Sequence, residues 1–278
     1  MSKNVPQKSV ALLTFATGKY KELSKLSRPV MQAYANQWGF DFFELDKSLD
    51  SNRPISWSKL LAVSKLLEDY EFVIYLDADV MILNLDENIL QELNLTADFA
   101  WRISEVNGKS SPNAGVMVFR STERTKAMLK CAYSQEDLIF DGWWEQASLI
   151  RVLGYNDPRL DSGKNEKGNP LSPINEMKLE AKWNSISVEP FVGQVNFRHF
   201  AGEPFAVKKL MMIEYLRYFH SVNSKSKLSW LVSSLDLTSE YESVNAEIHK
   251  KYQTRKKQFV FKVKSVLHRL NLTEMKYK

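Results

Sequence analysis

The 278-residue chain holds a single cysteine, Cys131, which excludes an intrachain disulfide and a cysteine-ligated zinc cluster and fits a reducing compartment. No apolar run approaches the roughly 18 residues that a membrane-spanning helix needs. Near the amino end the apolar stretch Val10–Phe15 is short and stops at a Thr-Gly turn. It reads as a strand, not as the apolar segment of a secretory signal. Without such a signal the N-x-T sequons at Asn94 and Asn271 carry no expectation of glycosylation, and the cytoplasm is the expected compartment. No internal repeat is visible. Acid is scarce at the carboxyl end, where Lys250 to Lys278 contain ten Lys/Arg and one acid, Glu274. The net charge of +5 therefore belongs to that segment, and residues 1–249 carry −4. A mildly acidic body argues against nucleic acid as a partner.

What is present reads as an ordinary globular chain, 44% hydrophobic and 26% charged, long enough for one large domain or one domain and an extension. Val10–Thr14 reads as a buried strand and Thr14–Tyr20 as the loop after it. Lys21–Trp38 carries apolar residues at helical spacing and stops at Gly39. Phe40–Leu45 and Phe72–Leu76 read as strands with a helix, Ser56–Leu67, between them. Asp98–Ile103 and Gly115–Phe119 read as further strands, Trp143–Leu153 as a helix, and Phe197–Phe200 as a last short strand. Asn156–Met177 is rich in Asn, Pro, Gly and charge and reads as a long surface loop, suited to a lid. From about Glu203 the pattern is helical, broken by Ser221–Lys227. Alternating strands and helices of these lengths predict an α/β fold with a mostly parallel, Rossmann-like sheet. The expected division is a catalytic domain over 1–215 and a helical, basic extension over 216–278.

The stretch EFVIYLDADVMILN, residues 71–84, places two aspartates after an apolar strand. At the carboxyl end of a strand in an open α/β sheet they stand where ligands bind. Carboxylates at i and i+2 point the same way, so Asp77 and Asp79 can reach one hard cation. His199, in FRHFAGEP, would add a nitrogen ligand, which favours Mn²⁺ over Mg²⁺. Gly202 beside it would let backbone N–H groups approach a phosphate. The same D-x-D-x-V pattern also resembles the first motif of haloacid-dehalogenase-type phosphatases, in which the first Asp is a nucleophile. That motif sits on a first strand and needs a later acidic pair; here two strand–helix units precede it and no convincing pair follows. A third alternative is a scaffold that keeps the fold without the catalysis.

Taken together, the ordered motifs from Val10 to Lys209 resemble retaining nucleotide-sugar glycosyltransferases of the GT-A fold. The resemblance is greatest to the fungal α-galactosyltransferase and plant xyloglucan xylosyltransferase family, and more distant to bacterial lipopolysaccharide galactosyltransferases and glycogenin. It rests on Trp57-Ser58-Lys59, Asp77-Ala78-Asp79, Asn113-Ala114-Gly115, Glu145-Gln146, Trp183-Asn184 and His199-Phe200-Ala201-Gly202. It implies a nucleoside-diphosphate sugar donor, by family default UDP-linked, a glycan or glycolipid acceptor, and Mn²⁺ (or Mg²⁺) on Asp77, Asp79 and His199. Donor contacts are implied for Thr14, Ala16, Tyr20, Lys59, Asp77, Ala78, Asn113, Ala114, Gly202 and Lys208, and acceptor contacts for Trp144, Trp183 and Asn184. Gln146 would place its carbonyl near the sugar's developing positive charge, and Glu145 would orient the acceptor hydroxyl. Front-face attack with retention is the implied course.

Two departures stand out. The acid before Gln is usually Asp in these families and here is Glu145. The Lys-Pro-Trp that often follows H-x-x-G is replaced by Glu203-Pro204-Phe205, leaving Lys208 or Lys209 as the candidate grip on the diphosphate. In the basic tail, Phe259, Val263, Val266, Leu267 and Leu270 share one helical face. The 250–270 helix is expected either to lie on an anionic membrane, making the enzyme peripheral on an inner face, or to pack on the domain.

Overall fold

The computed structural model describes residues 9–94, 96–106, 109–156, 168, 170–187, 193–222 and 237–252. The tail helix expected over 250–270 falls almost wholly outside these residues, as does most of the expected 156–177 loop. Among the described residues no helix is long and apolar enough to cross a membrane.

Six strands form the main sheet: β1 (Val10–Phe15), β2 (Asp41–Leu45), β3 (Phe72–Asp77), β5 (Phe99–Val106), β6 (Lys109–Arg120) and β7 (Glu176–Lys178), in the order β2-β1-β3-β6-β5-β7. Five run the same way and β6 runs against both its neighbours. A second sheet joins β4 (Val80–Ile82), β8 (Ser185–Ile186) and β9 (Phe197–His199) in the order β4-β9-β8. The α/β fold with a mostly parallel sheet is thus as the alternation predicts.

Helix α1 (Tyr20–Trp38) ends where Gly39 takes φ +68 and returns its N–H to the last carbonyls, a left-handed cap that glycine adopts without a Cβ penalty. Helices α1, α5 (Phe205–Val222) and α6 (Leu237–Tyr252) cover one face of the sheet, and α2 (Ser58–Leu66), α3 (Glu123–Tyr133) and α4 (Trp144–Val152) cover the other. Strand alternation divides the core accordingly: Val10, Leu12, Ile74 and Leu76 enter the first layer, and Ala11, Leu13, Val73 and Tyr75 the second. Helix α5 runs unbroken through residues 215 and 216, and Leu237 and Val244 of α6 are buried with Met212 and Leu216.

Several elements differ from the reading of the sequence. The expected loop to Met177 ends in β7, which pairs with β5 through Phe99↔Glu176. Strands of two or three residues, β4, β7 and β8, are too short to show a period; their partners create them. Helix α3 is charged on most faces and was not expected. It is held by the Thr122 hydroxyl, which accepts the Thr125 N–H at 3.2 Å.

Asp98 fastens this edge of the fold. Its buried carboxylate accepts Arg124 Nε and Nη2 at 2.6 and 3.0 Å, the Thr122 hydroxyl at 2.9 Å and the Asn175 N–H at 2.9 Å. Burial pushes its pKa up, but these donors outweigh burial and hold it below the usual value. A depressed folded pKa stabilises above the unfolded value, about 4, and the contribution is lost as pH falls through the folded one. Asp98→Ala should therefore lower stability by about 2 kcal/mol at pH 7, and by much less near pH 3. Urea unfolding at both values checks this; an equal loss at both would refute it.

Candidate active site

The alternation that sorts the core also aims the acids. Asp77 closes β3 beside Phe15 of β1, on the same face as Tyr75, and that face is covered by α2 and α4. There the Tyr75 hydroxyl donates to Asp77 Oδ1 at 2.7 Å. Lys59, from α2, lies 3.3 Å from the same oxygen and 2.7 Å from Glu145 Oε1 of α4, with its ammonium 4.8 Å from the Tyr75 ring centroid. Burial alone would lower the Lys59 pKa, but Asp77 and Glu145 raise it well above the ordinary range, so it stays charged. Burial, and then the Asp77 charge, push the Tyr75 hydroxyl well up, so it remains a donor. Glu145 Oε2 is buried without a hydrogen-bond partner.

Asp79 lies in the turn to β4, and His199 faces it because β9 pairs antiparallel with β4 at Val80↔His199. The ring is locked from behind. His199 Nδ1 is 3.1 Å from both Asn113 Oδ1 and Asn184 Oδ1. Asn113 Oδ1 also accepts from the Gly115 N–H at 3.0 Å and Asn184 Nδ2 at 2.9 Å, which sets both amides with their carbonyls toward the ring. Facing two acceptors, Nδ1 must carry a proton, which turns Nε2 to Asp79 Oδ1 at 3.3 Å and Asp77 Oδ2 at 3.9 Å, where it donates to the carboxylates when protonated and offers its lone pair to a cation when neutral. Gly115 allows this: a Cβ there would stand 2.0 Å from His199 Cε1. One ligand atom from each of Asp77, Asp79 and His199 falls within 4.8 Å of the others. Two carboxylate oxygens and an imidazole with a fixed free nitrogen fit a divalent cation of the Mg²⁺ or Mn²⁺ class.

Lys208, on the first turn of α5, donates to Asp79 Oδ2 at 2.5 Å. Burial would raise the Asp79 pKa, but His199 and Lys208 outweigh it and hold the carboxyl far below its usual range.

These groups form the floor of a cavity of about 530 Å³, within the usual size range of small-molecule sites. Of the residues expected to serve here, Tyr20, Lys59, Asp77, Ala78, Asp79, Asn113, Trp144, Glu145, Gln146, His199, Gly202 and Lys208 line it. Gly202 takes φ +74, and an added Cβ would meet nothing within 4 Å, so the turn needs glycine for its conformation rather than for space. The remaining expected residues lie elsewhere. Thr14 and Ala16 are buried behind the wall, and Phe15 and Thr17 face the cavity instead. Alternation along β1 puts Phe15, not Thr14, on the face of Asp77, a signal already present in the sequence. Ala114 is buried and acts through its N–H, which donates to Gln146 Oε1 at 3.0 Å.

Trp183 is a core residue, fully buried, with its indole N–H given to Glu92. Asn184 is likewise buried and spends its amide on Asn113 and His199. Neither reaches the cavity, so an acceptor contact is corrected to a structural role for Trp183 and to the positioning of His199 for Asn184. Lys59, expected on the donor, holds Asp77 and Glu145 together. Tyr75 was missed, although its place two residues before Asp77 could have shown it. Trp144 takes φ +46, the one positive φ at a non-glycine among the described residues, a conformation that costs about 1–3 kcal/mol.

A family model described as nucleotide-diphospho-sugar transferase matches residues 20–207. No curated protein matches the sequence. Among solved structures, a glycosyltransferase involved in glycosylation of the major capsid of PBCV-1 is similar at 17% identity and a TM-score of 0.55, over 73% of this chain and 98% of that one. The galactosyltransferase LgtC, solved with donor and acceptor sugar analogues, is similar at 14% identity and a TM-score of 0.52, over 81% and 96%. The glycosyltransferase GlyE of Streptococcus pneumoniae TIGR4 is similar at 13% identity and a TM-score of 0.52, over 84% of this chain but 64% of its own length. At these identities the likeness establishes the fold, which is the GT-A glycosyltransferase fold.

Two substitutions probe the floor. Gly115→Ala should displace the His199 ring and weaken Mn²⁺ binding by roughly 10- to 100-fold, read by calorimetric titration of the folded variant; unchanged affinity would contradict the lock. Lys59→Met should destabilise the protein by about 3–5 kcal/mol, because Glu145 is left buried and unpaired. A stability loss near zero in denaturant titration would show that the ammonium is not what holds the two acids together.

Proposed function

Because the chain belongs to the nucleotide-diphospho-sugar transferase family, we propose that it is a divalent-metal-dependent glycosyltransferase that moves a sugar from a UDP-linked donor to a glycan with retention. The observation that carries this reading is the convergence of Asp77, Asp79 and His199 on the floor of a cavity. These three would hold the ion, which when bound supplies Lewis-acid stabilisation of charge on a diphosphate. Retention and the UDP moiety rest on the family resemblance that the sequence motifs carry, UDP as that group's default donor.

In this proposal the bond between the anomeric carbon and the diphosphate oxygen breaks, and its electron pair leaves with the nucleoside diphosphate. The acceptor hydroxyl oxygen bonds to the same face of that carbon, and its proton passes to the departing phosphate. Gln146 is placed for the positive charge that grows on the ring: the Ala114 N–H fixes its carbonyl at 3.0 Å, leaving a second lone pair. An amide oxygen is a poor nucleophile, which favours front-face attack over a glycosyl-enzyme. Glu145 lines the cavity with Oε2 unpaired, and a turn of its carboxylate toward the cavity would let it accept a sugar hydroxyl. Lys208 sits within reach of the same floor and can turn to the diphosphate.

Thermal unfolding of the protein with UDP, GDP, CDP and dTDP, each with and without Mn²⁺, tests the reading. UDP at 100 times its dissociation constant should add about 2.7 kcal/mol, and only with the metal. Asp79→Asn and His199→Ala should lose that gain. Stabilisation that persists in both variants, or that needs no metal, would overturn the assignment.

A further inference from the structure

Among the described residues three lysines are buried, Lys59, Lys208 and Lys209, and they are held differently. Lys59 bridges two acids, Asp77 at 3.3 Å and Glu145 at 2.7 Å. Lys209 also bridges two, Glu22 of α1 at 2.7 Å and Glu240 of α6 at 2.6 Å. Lys208 has one acid partner among the described residues, Asp79 Oδ2 at 2.5 Å. It also lines the cavity, which Lys209 does not. A lysine pinned between two carboxylates stays where it is. One held by a single carboxylate beside a cavity can leave it for another anion.

The backbone beneath Lys208 is fixed. Its N–H donates to Pro204 O at 2.9 Å, and Lys209, the next residue, ties the same turn of α5 to α1 and α6. Only the flexible four-carbon stem of Lys208 is left to move. The carboxylate that it holds is also the one with most to offer a cation. Asp77 Oδ1 is taken by the Tyr75 hydroxyl at 2.7 Å and Lys59 at 3.3 Å, so Asp77 offers Oδ2 alone. Asp79 offers Oδ1, on the His199 side, while Oδ2 carries the ammonium. An ion reached by Asp77 Oδ2 and His199 Nε2 would thus share the Asp79 carboxylate with a second positive charge. Two cations on one buried carboxylate repel more strongly than they would in water.

We propose that the Lys208 ammonium and the divalent ion are alternative partners of Asp79, and that this exchange interlocks metal and diphosphate binding. The ion takes the carboxylate, and the displaced ammonium, its stem anchored on α5, turns to the diphosphate that the ion brings. Metal alone leaves the ammonium without a counter-charge. Diphosphate alone meets two aspartates that repel it. Each ligand therefore raises the affinity for the other, by the same factor in both directions. This inference rests on the nucleotide-sugar reading of the same site.

The test is calorimetric titration of the full chain with Mn²⁺, without UDP and with saturating UDP, for the native protein, Lys208→Gln and Lys208→Arg. Glutamine keeps a donor for Asp79 without the charge, and arginine keeps the charge. In the native chain UDP should tighten Mn²⁺ binding by roughly tenfold or more. Lys208→Gln should bind Mn²⁺ alone roughly tenfold more tightly than the native chain, yet with UDP present no more tightly than the native chain. Lys208→Arg should bind Mn²⁺ alone as weakly as the native chain does. A lysine that only supports the fold would, once removed, weaken Mn²⁺ binding in both conditions, and a charge acting only at a distance would leave it equally tightened in both. Either pattern overturns the proposal. So, without any variant, does a native Mn²⁺ affinity that bound UDP leaves unchanged. Failure of the donor reading is a separate result, the absence of UDP binding to the native chain with or without Mn²⁺; the titrations with metal alone then still judge the exchange at Asp79.

Discussion

The buried ammonium of Lys59, held between Asp77 of the sheet and Glu145 of α4, is the contact on which the active-site architecture depends. A cluster of carboxylates is needed to bind a cation, and such a cluster repels itself. With ligand atoms of Asp77 and Asp79 within 4.8 Å, two full charges oppose each other by roughly 3–4 kcal/mol at an effective dielectric of about 20. Lys59 offsets this from below and Lys208 from the α5 side. Three carboxylates against two lysines leave one excess negative charge on the floor. A divalent ion reverses that sign, and the reversed floor suits a diphosphate.

The fold supplies this contact through the two-residue period of its strands. Tyr75 and Asp77 share the sheet face that α2 and α4 cover, which is why a lysine and a glutamate from separate helices can meet there. Asp79 lies past the end of the strand, where β9 and α5 approach, and so it takes His199 and Lys208 instead. The two aspartates, separated by Ala78 alone, are thereby served by opposite layers of the protein. The asparagine pair behind His199 completes the arrangement by settling which ring nitrogen is free.

Much of this was legible beforehand. The apolar strand before Asp77 announced the edge at which ligands bind, and the ordered motifs through His199 pointed to the same cavity. The phosphatase alternative had no place for His199, which the structure sets against both aspartates. What was misjudged involved burial rather than residue type. Trp183 and Asn184 read as acceptor contacts through the Trp-Asn motif of the resemblance, but their burial depends on residues 71 to 91 positions away in the chain. Thr14 enters as a donor contact only through the resemblance, and alternation turns Phe15 to the pocket. Strands β7 and β8 left no trace because their partners, not their own residues, define them.

The sequence by itself determined the class of fold and the chemistry of the floor, because strand and helix periods and the ligating types Asp, Asp and His are local properties of the chain. Only the tertiary structure decided what each charged or polar group is bonded to. It made Lys59 the brace between two acids, gave Asn184 to the imidazole, and set Trp144 in a positive-φ turn at the cavity. Those outcomes depend on which layers meet at the end of β3, and that distance in space is not written in any local pattern of residues.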